Sequence, residues 1–165
     1  SIRRQRQMCI RDRAYNAQVV VYAKNQSWQL IDLLPVDRKK IYGLAVDLGT
    51  STIAVRLVEL NNGQTIDEKS FLNPQLEIGT DILTRIHFCS PAGGRKKLQD
   101  LVIEGINHFI TDLLTRHHLD RDTIVGMTLA GNTTMSHLFL GLDPYWLCRE
   151  PYIPCLLYTS PSPRD

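Results

Sequence analysis

The stretch YGLAVDLGTSTIAVRLVEL, residues 42–60, decides the fold of this chain. Apolar runs on either side of a short polar turn predict a first strand at 41–48 and a second at 51–60. The junction between them holds one carboxylate and three hydroxyls: Asp47, Thr50, Ser51 and Thr52. A purely structural hairpin needs only a Gly and an Asn or Asp at its bend, so the extra polar groups predict a turn that binds something.

Downstream of this hairpin, the Asn-Asn-Gly at 61–63 predicts a tight turn into a third strand at 64–72. An Asn-Pro-Gln sequence then breaks that strand. A short helix is predicted over 81–88, with Thr80 or Asp81 as its N-cap. The chain therefore continues its meander for one more strand before it turns helical.

The next segment has the clearest helical periodicity in the chain. Its apolar residues recur at the spacing of one helix face: Leu98, Leu101, Val102, Ile106, Phe109, Ile110, Leu113 and Leu114. A fourth strand is predicted at 123–130, and its almost unbroken apolar run favours a central strand that is buried on both faces. The Gly-Asn-Thr-Thr at 131–134 predicts the start of a last helix, which Gly-Leu-Asp-Pro at 141–144 ends.

The predicted order is β-β-β-α-β-α, with a strand candidate at 17–23 and a connector at 24–40 upstream. We expect an edge strand in that connector, near Trp28 to Leu33. A long crossover helix allows the fourth strand to lie beside strand one and parallel to it. The fold class is thus α/β, a ribonuclease-H-like half-domain with a three-stranded antiparallel meander, and it lacks the usual fifth strand and last helix.

Both ends of the chain read as translated sequencing adapter, so we expect residues 1–13 and 155–165 to be artefacts. The whole chain has 19 Lys and Arg against 17 Asp and Glu, a net charge of +2. Six Arg and two Asp lie in those ends, which leaves 13 basic and 15 acidic residues and a net charge of −2. The argument for nucleic-acid binding then disappears.

Two cysteines remain between these ends, Cys89 and Cys148, without a disulfide or metal-ligand spacing. They indicate ordinary thiols in a reducing compartment. No apolar run approaches the roughly 20 residues of a membrane span, and no signal peptide is recognisable. We therefore expect a cytoplasmic protein without a membrane partner.

The chemistry of the turn favours an anion. Gly49 lets the backbone bend, and Thr50, Ser51 and Thr52 offer successive N–H groups and hydroxyls, a pattern typical of a concave anion site. A carboxylate beside phosphate needs a cation, and Mg²⁺ uses one or two carboxylates together with water and phosphate oxygens. Asp47 is therefore a candidate Mg²⁺ ligand through water. Because Asp-x-Gly-Thr is a short motif, a hairpin with polar decoration stays an open alternative.

Here the sequence resembles known families. GLAVDLGTSTIAVRLVEL is similar to the first phosphate loop of the superfamily of acetate and sugar kinases, heat-shock chaperones and actin. Four segments resemble, in order and spacing, the C-terminal ATPase domain of the reductive activators of corrinoid proteins: YGLAVDLGTSTIAVRLVEL-NNGQ, FLNPQLEIGTDILTRI, LAGNTTMSHLFLGLDP and EPYIP.

The resemblance implies a partial actin-like ATPase domain that binds ATP and Mg²⁺. It assigns the phosphate-binding loop and a ligand crevice to seven residues: Asp47, Gly49, Thr50, Ser51, Thr52, Gly131 and Asn132. Asn73 and Gln75 also match, and a turn-capping role is the interpretation for them. The implied partner is a corrinoid protein or a corrinoid-dependent methyltransferase. The [2Fe–2S] cluster belongs to the parent protein outside this fragment, and a homodimer of the parent stays open.

The resemblance divides the chain into the end of a middle domain at 14–40 and the first part of an ATPase domain at 41–154. No second Asp-Gly-Gly phosphate loop, adenosine-binding Gly-Gly segment or four-cysteine motif is present in this sequence. We therefore expect the fragment alone to be inactive and assign no catalytic residue. A sugar or acetate kinase, an ATP-dependent dehydratase activator and a non-catalytic actin-like scaffold are the alternatives.

Overall fold

The computed structural model describes residues 17–24, 27–35, 37–38, 40–90 and 93–154. The strands in this part of the chain are β1 Ala17–Lys24, β2 Ser27–Pro35, β3 Tyr42–Leu48, β4 Thr52–Glu59, β5 Gln64–Leu72 and β6 Ile124–Gly131. The α-helices are α1 Ile82–Phe88, α2 Gly94–Arg116 and α3 Thr133–Leu140, and there are 3₁₀ turns at Pro74–Glu77, Arg121–Thr123 and Tyr145–Leu147. The expected adapter ends lie outside the described residues.

The strands form two sheets. β1 and β2 pair as an antiparallel hairpin, and the other four strands follow the order β5-β4-β3-β6. β3, β4 and β5 are antiparallel neighbours, whereas β6 lies parallel to β3. The predicted meander and the predicted parallel pairing of the fourth strand with strand one are therefore confirmed, and the fold is mixed α/β.

Alternation of side chains along β3 and β4 creates the core. One face of each strand is buried and packs against the helices, while the other face carries small or polar side chains. The buried cluster joins these two strands to α2 and α3: Leu44, Val46, Leu48, Ile53, Val55, Leu57, Leu98, Val102, Ile106, Leu113, Met135 and Leu138. Each such side chain contributes about 1.5–3 kcal/mol when it is fully buried.

The prediction that the fourth strand is central and buried on both faces was wrong. β6 is the last strand of its sheet within the described residues, and most of its residues are exposed or half-buried. Met127, in the middle of the strand, is 48% exposed, although Ile124 and Leu129 pack against the core. An apolar sequence shows that a strand could be buried, but it does not show whether a neighbouring strand covers it.

The segment at 24–40 is also more regular than a polar connector. β2 runs from Ser27 to Pro35 and pairs with β1 from one end to the other with a single bulge, so the strand is longer than the one expected near Trp28 to Leu33. Exposed large side chains such as Trp28 lie on this hairpin, whereas Leu34 is buried. The backbone of β2 forms hydrogen bonds with β1, and the local sequence of the segment does not reveal this pairing.

Side-chain caps begin two of the helices as predicted. Asp81 accepts a hydrogen bond from the Thr84 N–H at 2.9 Å and so caps α1, which decides between the two predicted cap residues. Its other carboxylate oxygen accepts from the Thr84 hydroxyl, and this bond lowers the pKa of Asp81. Gly141 is the C-cap that follows Leu140 at the end of α3, as expected. No helix in the described ranges is both long and apolar enough to cross a membrane.

Candidate functional site

Parallel pairing brings the two predicted motifs together. β3 and β6 run side by side, and Leu48 is in register with Gly131 at their carboxyl ends. The loop after β3 and the turn after β6 therefore meet at one edge of the sheet. There, the Asn132 side-chain amide donates a hydrogen bond to the Thr50 hydroxyl at 3.1 Å. Asn132 also caps α3, because its side-chain oxygen Oδ1 accepts from the Met135 N–H at 2.9 Å.

The backbone explains both glycines of the candidate site, strictly at Gly49 and less strictly at Gly131. A Cβ at Gly49 would lie 2.3 Å from the Thr52 carbonyl oxygen, which no other residue tolerates. A Cβ at Gly131 would lie 3.1 Å from both the Cβ and the carbonyl oxygen of Leu48. Gly49 closes the turn, and Gly131 allows β6 to approach β3, so neither needs a ligand to explain it.

The carbonyl groups of the loop point into the protein. The Gly49 carbonyl accepts from the Asn73 side-chain amide at 2.9 Å, and the Thr50 carbonyl accepts from Arg85 Nη2 at 2.7 Å. The Ser51 carbonyl accepts from the Asn73 backbone N–H at 2.9 Å. In a planar trans peptide, the N–H lies opposite the preceding C=O. The N–H groups of Thr50 and Ser51 therefore point away from these partners.

The polar side chains of the loop are open to solvent. Asp47, Ser51 and Thr52 are exposed, and among the described residues their carboxylate and hydroxyl groups make no hydrogen bond. The Thr50 hydroxyl accepts from Asn132 and is still able to donate its own proton. The loop therefore presents one carboxylate together with hydroxyl and N–H donors on its outer side.

A groove of about 320 Å³ lies beside Asp47 on the sheet face away from the helices. Its floor is formed by small side chains on three neighbouring strands: Ala45, Ala54, Thr128 and Ala130. Arg56 and Glu68 form one wall and are paired at 2.8 Å. Because small side chains leave this face open, Asp47 borders a space that a small ligand can enter.

Beneath the loop lies a fully buried arginine that the sequence prediction missed. Arg85, on α1, donates from Nε to the Gly79 carbonyl at 2.9 Å and from Nη1 to the Gln75 side-chain oxygen at 3.1 Å, in addition to its bond to Thr50. Its Nη1 also contacts the Met135 sulfur at 3.4 Å. The available signal was its position three residues after Ile82, which places an arginine on the apolar helix face.

Asn73 has the capping role that was expected, whereas Gln75 has a buried bridging role that was not. The Asn73 side-chain oxygen accepts from the Gln75 N–H at 2.9 Å and so caps the 3₁₀ turn, while its amide holds the Gly49 carbonyl. Gln75 is fully buried and donates to the Leu98 carbonyl of α2 at 2.9 Å. These two side chains connect the loop to the first turns of α2.

The Arg85 guanidinium is charged even though it is buried. Burial lowers the pKa of the Arg85 guanidinium, and the nearby Asp81 carboxylate partly opposes this effect. An arginine nevertheless stays charged in a protein, so the buried group is a cation.

Burial raises the pKa of the Cys89 thiol to about 11, so this cysteine is a neutral thiol near pH 7 and a poor nucleophile.

Metal binding by protein ligands alone has no support in the described part of the chain. No group of three or more His, Cys, Asp or Glu side chains converges there on a point that would hold a metal ion. A cation at Asp47 would therefore take most of its ligands from water or from a bound anion, which is the coordination that Mg²⁺ commonly adopts.

Comparisons with known proteins agree on one family. The family model described as RACo middle region matches residues 42–162. The corrinoid activation enzyme RamQ of Eubacterium limosum is 30% identical over 128 residues, which make up 76% of this chain and 22% of that protein. A solved structure described as a reductive activator for corrinoid, iron-sulfur protein is 32% identical, with a TM-score of 0.83, and the match covers 93% of this chain and 25% of that one.

Fold and comparisons together define the class as a mixed α/β segment of the kind found in corrinoid activators. The chain belongs to the RACo family. It spans 22% and 25% of the length of the two relatives described above. The family match includes residues 155–162, which we expect to be adapter-derived. That expectation stays a prediction, as does the division into a middle-domain end at 14–40 and an ATPase domain at 41–154.

Proposed function

We propose that the loop at residues 47–52 binds the phosphates of ATP and that the chain forms the first part of an actin-like, ribonuclease-H-like ATPase domain. The observation that carries this proposal is the inward direction of the loop carbonyls, held by Asn73 and Arg85. It leaves the N–H groups of Thr50 and Ser51 directed outward, and such a run of donors favours an anion. The order of the sheet, β5-β4-β3-β6, also agrees with the proposed fold.

Each candidate residue then has a role that fits its position. The N–H groups of Thr50 and Ser51 donate to phosphate oxygens, and the hydroxyls of Ser51 and Thr52 add donors at the same exposed edge. Asp47 holds Mg²⁺ through water, and the cation supplies the charge that keeps this carboxylate and the phosphates together. Asn132 fixes the Thr50 hydroxyl at 3.1 Å and thereby sets the border of the crevice after β6.

The activity of the longer protein is a further part of the proposal. One relative is a corrinoid activation enzyme, and another is a reductive activator for a corrinoid, iron-sulfur protein. We propose that this chain serves ATP-dependent reductive activation of a corrinoid protein or a corrinoid-dependent methyltransferase. The electron would come from an iron–sulfur cluster of the parent, outside this chain. Family membership favours this role over a small-molecule kinase, a dehydratase activator or a scaffold.

The Asp47→Ala substitution in the full-length parent protein tests the phosphate loop. We expect it to weaken Mg²⁺-dependent ATP binding at least tenfold, about 1.4 kcal/mol, because the cation loses its anchor. Isothermal titration calorimetry with and without Mg²⁺ measures this effect. The matched control is Asp100→Ala, which removes an exposed carboxylate that is paired with Lys96 on α2 and does not belong to the loop. Equal affinities of Asp47→Ala and the wild type would remove the phosphate-loop assignment.

A further inference from the structure

The buried position of Arg85 raises a physical problem. Its side chain is fully buried, and in the described part of the chain its hydrogen-bond acceptors are neutral groups on Gly79, Gln75, Thr50 and Met135. The Asp81 carboxylate acts on it only through space. A buried cation without a bonded counter-ion is costly, and an anion bound close to it would offset part of that cost.

We infer that Arg85 is a positioning residue that directs and strengthens the Ser51 N–H as a donor to the bound phosphate. This inference rests on the proposed function. Arg85 Nη2 donates to the Thr50 carbonyl at 2.7 Å, and the Ser51 N–H belongs to the same peptide group on its opposite side. A charged donor on the carbonyl polarises the peptide, which makes the N–H a stronger donor toward an anion.

The guanidinium is held in place on several sides, so the direction of the peptide is fixed before a ligand arrives. Nε binds the Gly79 carbonyl at 2.9 Å, and Nη1 binds the Gln75 side chain at 3.1 Å. Gln75 is in turn fixed by its bond to the Leu98 carbonyl of α2 at 2.9 Å. Thr50 is held from the other side by Asn132. A donor fixed in advance loses little conformational entropy when it binds.

The charge of Arg85 also supplies what an anionic ligand needs. The candidate loop has no exposed lysine or arginine of its own between Asp47 and Thr52. The Arg85 cation lies directly behind the Thr50–Ser51 peptide, and low-dielectric surroundings make its field stronger than it would be in water. A phosphate on the outer side of the loop would therefore act as the missing counter-charge for the buried guanidinium.

Nitrogen-15 NMR of the full-length wild-type parent protein, which includes the missing second half of the nucleotide site, tests this inference without a substitution. During a titration with Mg²⁺·ATP, we expect the Ser51 amide and the Arg85 Nε resonances to shift together with one dissociation constant. A shift of the Thr50 and Ser51 amides with an unchanged Arg85 Nε would overturn the inference and leave the proposed function standing. If no amide of residues 49–52 shifts, the proposed function fails, and the inference fails with it.

Two substitutions separate the charge of Arg85 from its role as a tether. Arg85→Met removes the charge, and we expect at least tenfold weaker Mg²⁺·ATP binding by the folded protein. Arg85→Lys keeps the charge, and we expect an affinity within about threefold of the wild type, about 0.65 kcal/mol. The matched control is Arg116→Met, which removes an arginine that is paired with Asp67 at the C-terminal end of α2. This substitution should leave the affinity for Mg²⁺·ATP unchanged.

Calorimetry at a temperature at which each variant is folded, as judged by circular dichroism, gives these affinities. Equal losses in Arg85→Lys and Arg85→Met would show that charge plays no part, which overturns the inference. Wild-type affinity in Arg85→Met would overturn it as well. If neither variant folds, the wild-type NMR titration decides the question.

Discussion

At the scale of single residues, the candidate site depends on groups that face away from any ligand. Asn73 uses both ends of its side chain, since its amide holds the Gly49 carbonyl and its oxygen caps the 3₁₀ turn. Asn73 is almost completely buried, so water could not replace either of these two hydrogen bonds. The shape of the loop is therefore set from inside the protein, by residues that would not touch the ligand.

Replacement of Asn73 by Ala should destabilise the protein by about 1–3 kcal/mol, because a buried carbonyl and a buried N–H lose their partners. Urea unfolding followed by circular dichroism measures the change. The matched control is Asn62→Ala, since the Asn62 oxygen accepts from the Gln64 N–H in an exposed turn and water replaces that bond. We expect a much smaller effect there. Similar losses in the two variants would contradict the role given to Asn73.

At the scale of elements, short helices and turns are held by side chains from distant parts of the chain. α1 has only seven residues, yet it carries Arg85 to the loop and is capped by Asp81. The C-terminal end of α2 is fixed to β5 by Asp67, which accepts from His117 at 2.8 Å and from Arg116 at 2.7 Å. His117 follows the last residue of α2 and is its C-cap.

The Asp67 contacts predict a pH dependence of stability. The hydrogen bond from His117, together with Arg116, lowers the pKa of Asp67 from its ordinary value of 3.8. A lowered pKa in the folded state stabilises the protein above the ordinary value, and this contribution is lost as the pH falls through the folded-state pKa. Wild type should therefore exceed Asp67→Asn in stability at pH 7, and the difference should shrink as the pH falls below about 4.

Thermal unfolding of both proteins between pH 7 and pH 2.5 measures this difference. Asp100→Asn is the control, because it removes an exposed pair with Lys96 inside one helix, and such pairs contribute little. A difference between wild type and Asp67→Asn that stays constant over the whole range would contradict the assignment of the pH dependence to Asp67.

At the scale of the whole molecule, the four-stranded sheet has an exposed edge at β6. Helices cover one face, whereas β6 forms an edge in the described part of the chain and exposes Met127 at its middle. Unpaired N–H and C=O groups on such an edge are a template for pairing with another chain. We therefore expect this chain by itself to be poorly soluble.

A charged residue on the edge tests that expectation. Met127→Lys should reduce self-association of the chain, because a lysine on an edge strand opposes edge-to-edge pairing. Sedimentation velocity at several concentrations measures the fraction of large species. Leu83→Lys is the matched control, since Leu83 is an apolar residue that is 56% exposed on α1, away from the sheet edge. An equal reduction in both variants would point to general surface charge and not to the edge.

Local sequence signals predicted most of the elements. The Asn-Asn-Gly turn, the caps at Asp81 and Asn132 and the periodicity of α2 each depend on residues within a few positions of one another. The candidate loop was also found locally, through the excess of polar groups at its bend. The contact between Thr50 and Asn132 followed only indirectly, from the prediction that β3 and β6 are parallel neighbours.

The sequence by itself determined the meander, the crossover helix and the loop, because strand alternation, helical periodicity and turn chemistry are short-range properties of the chain. Only the tertiary structure decided that β6 is an edge and that Asn73 and Arg85 hold the loop. Those bonds join residues separated by 24 and 35 positions. A hydrogen bond over such a separation depends on where the whole fold places its two partners, and no local pattern encodes that placement.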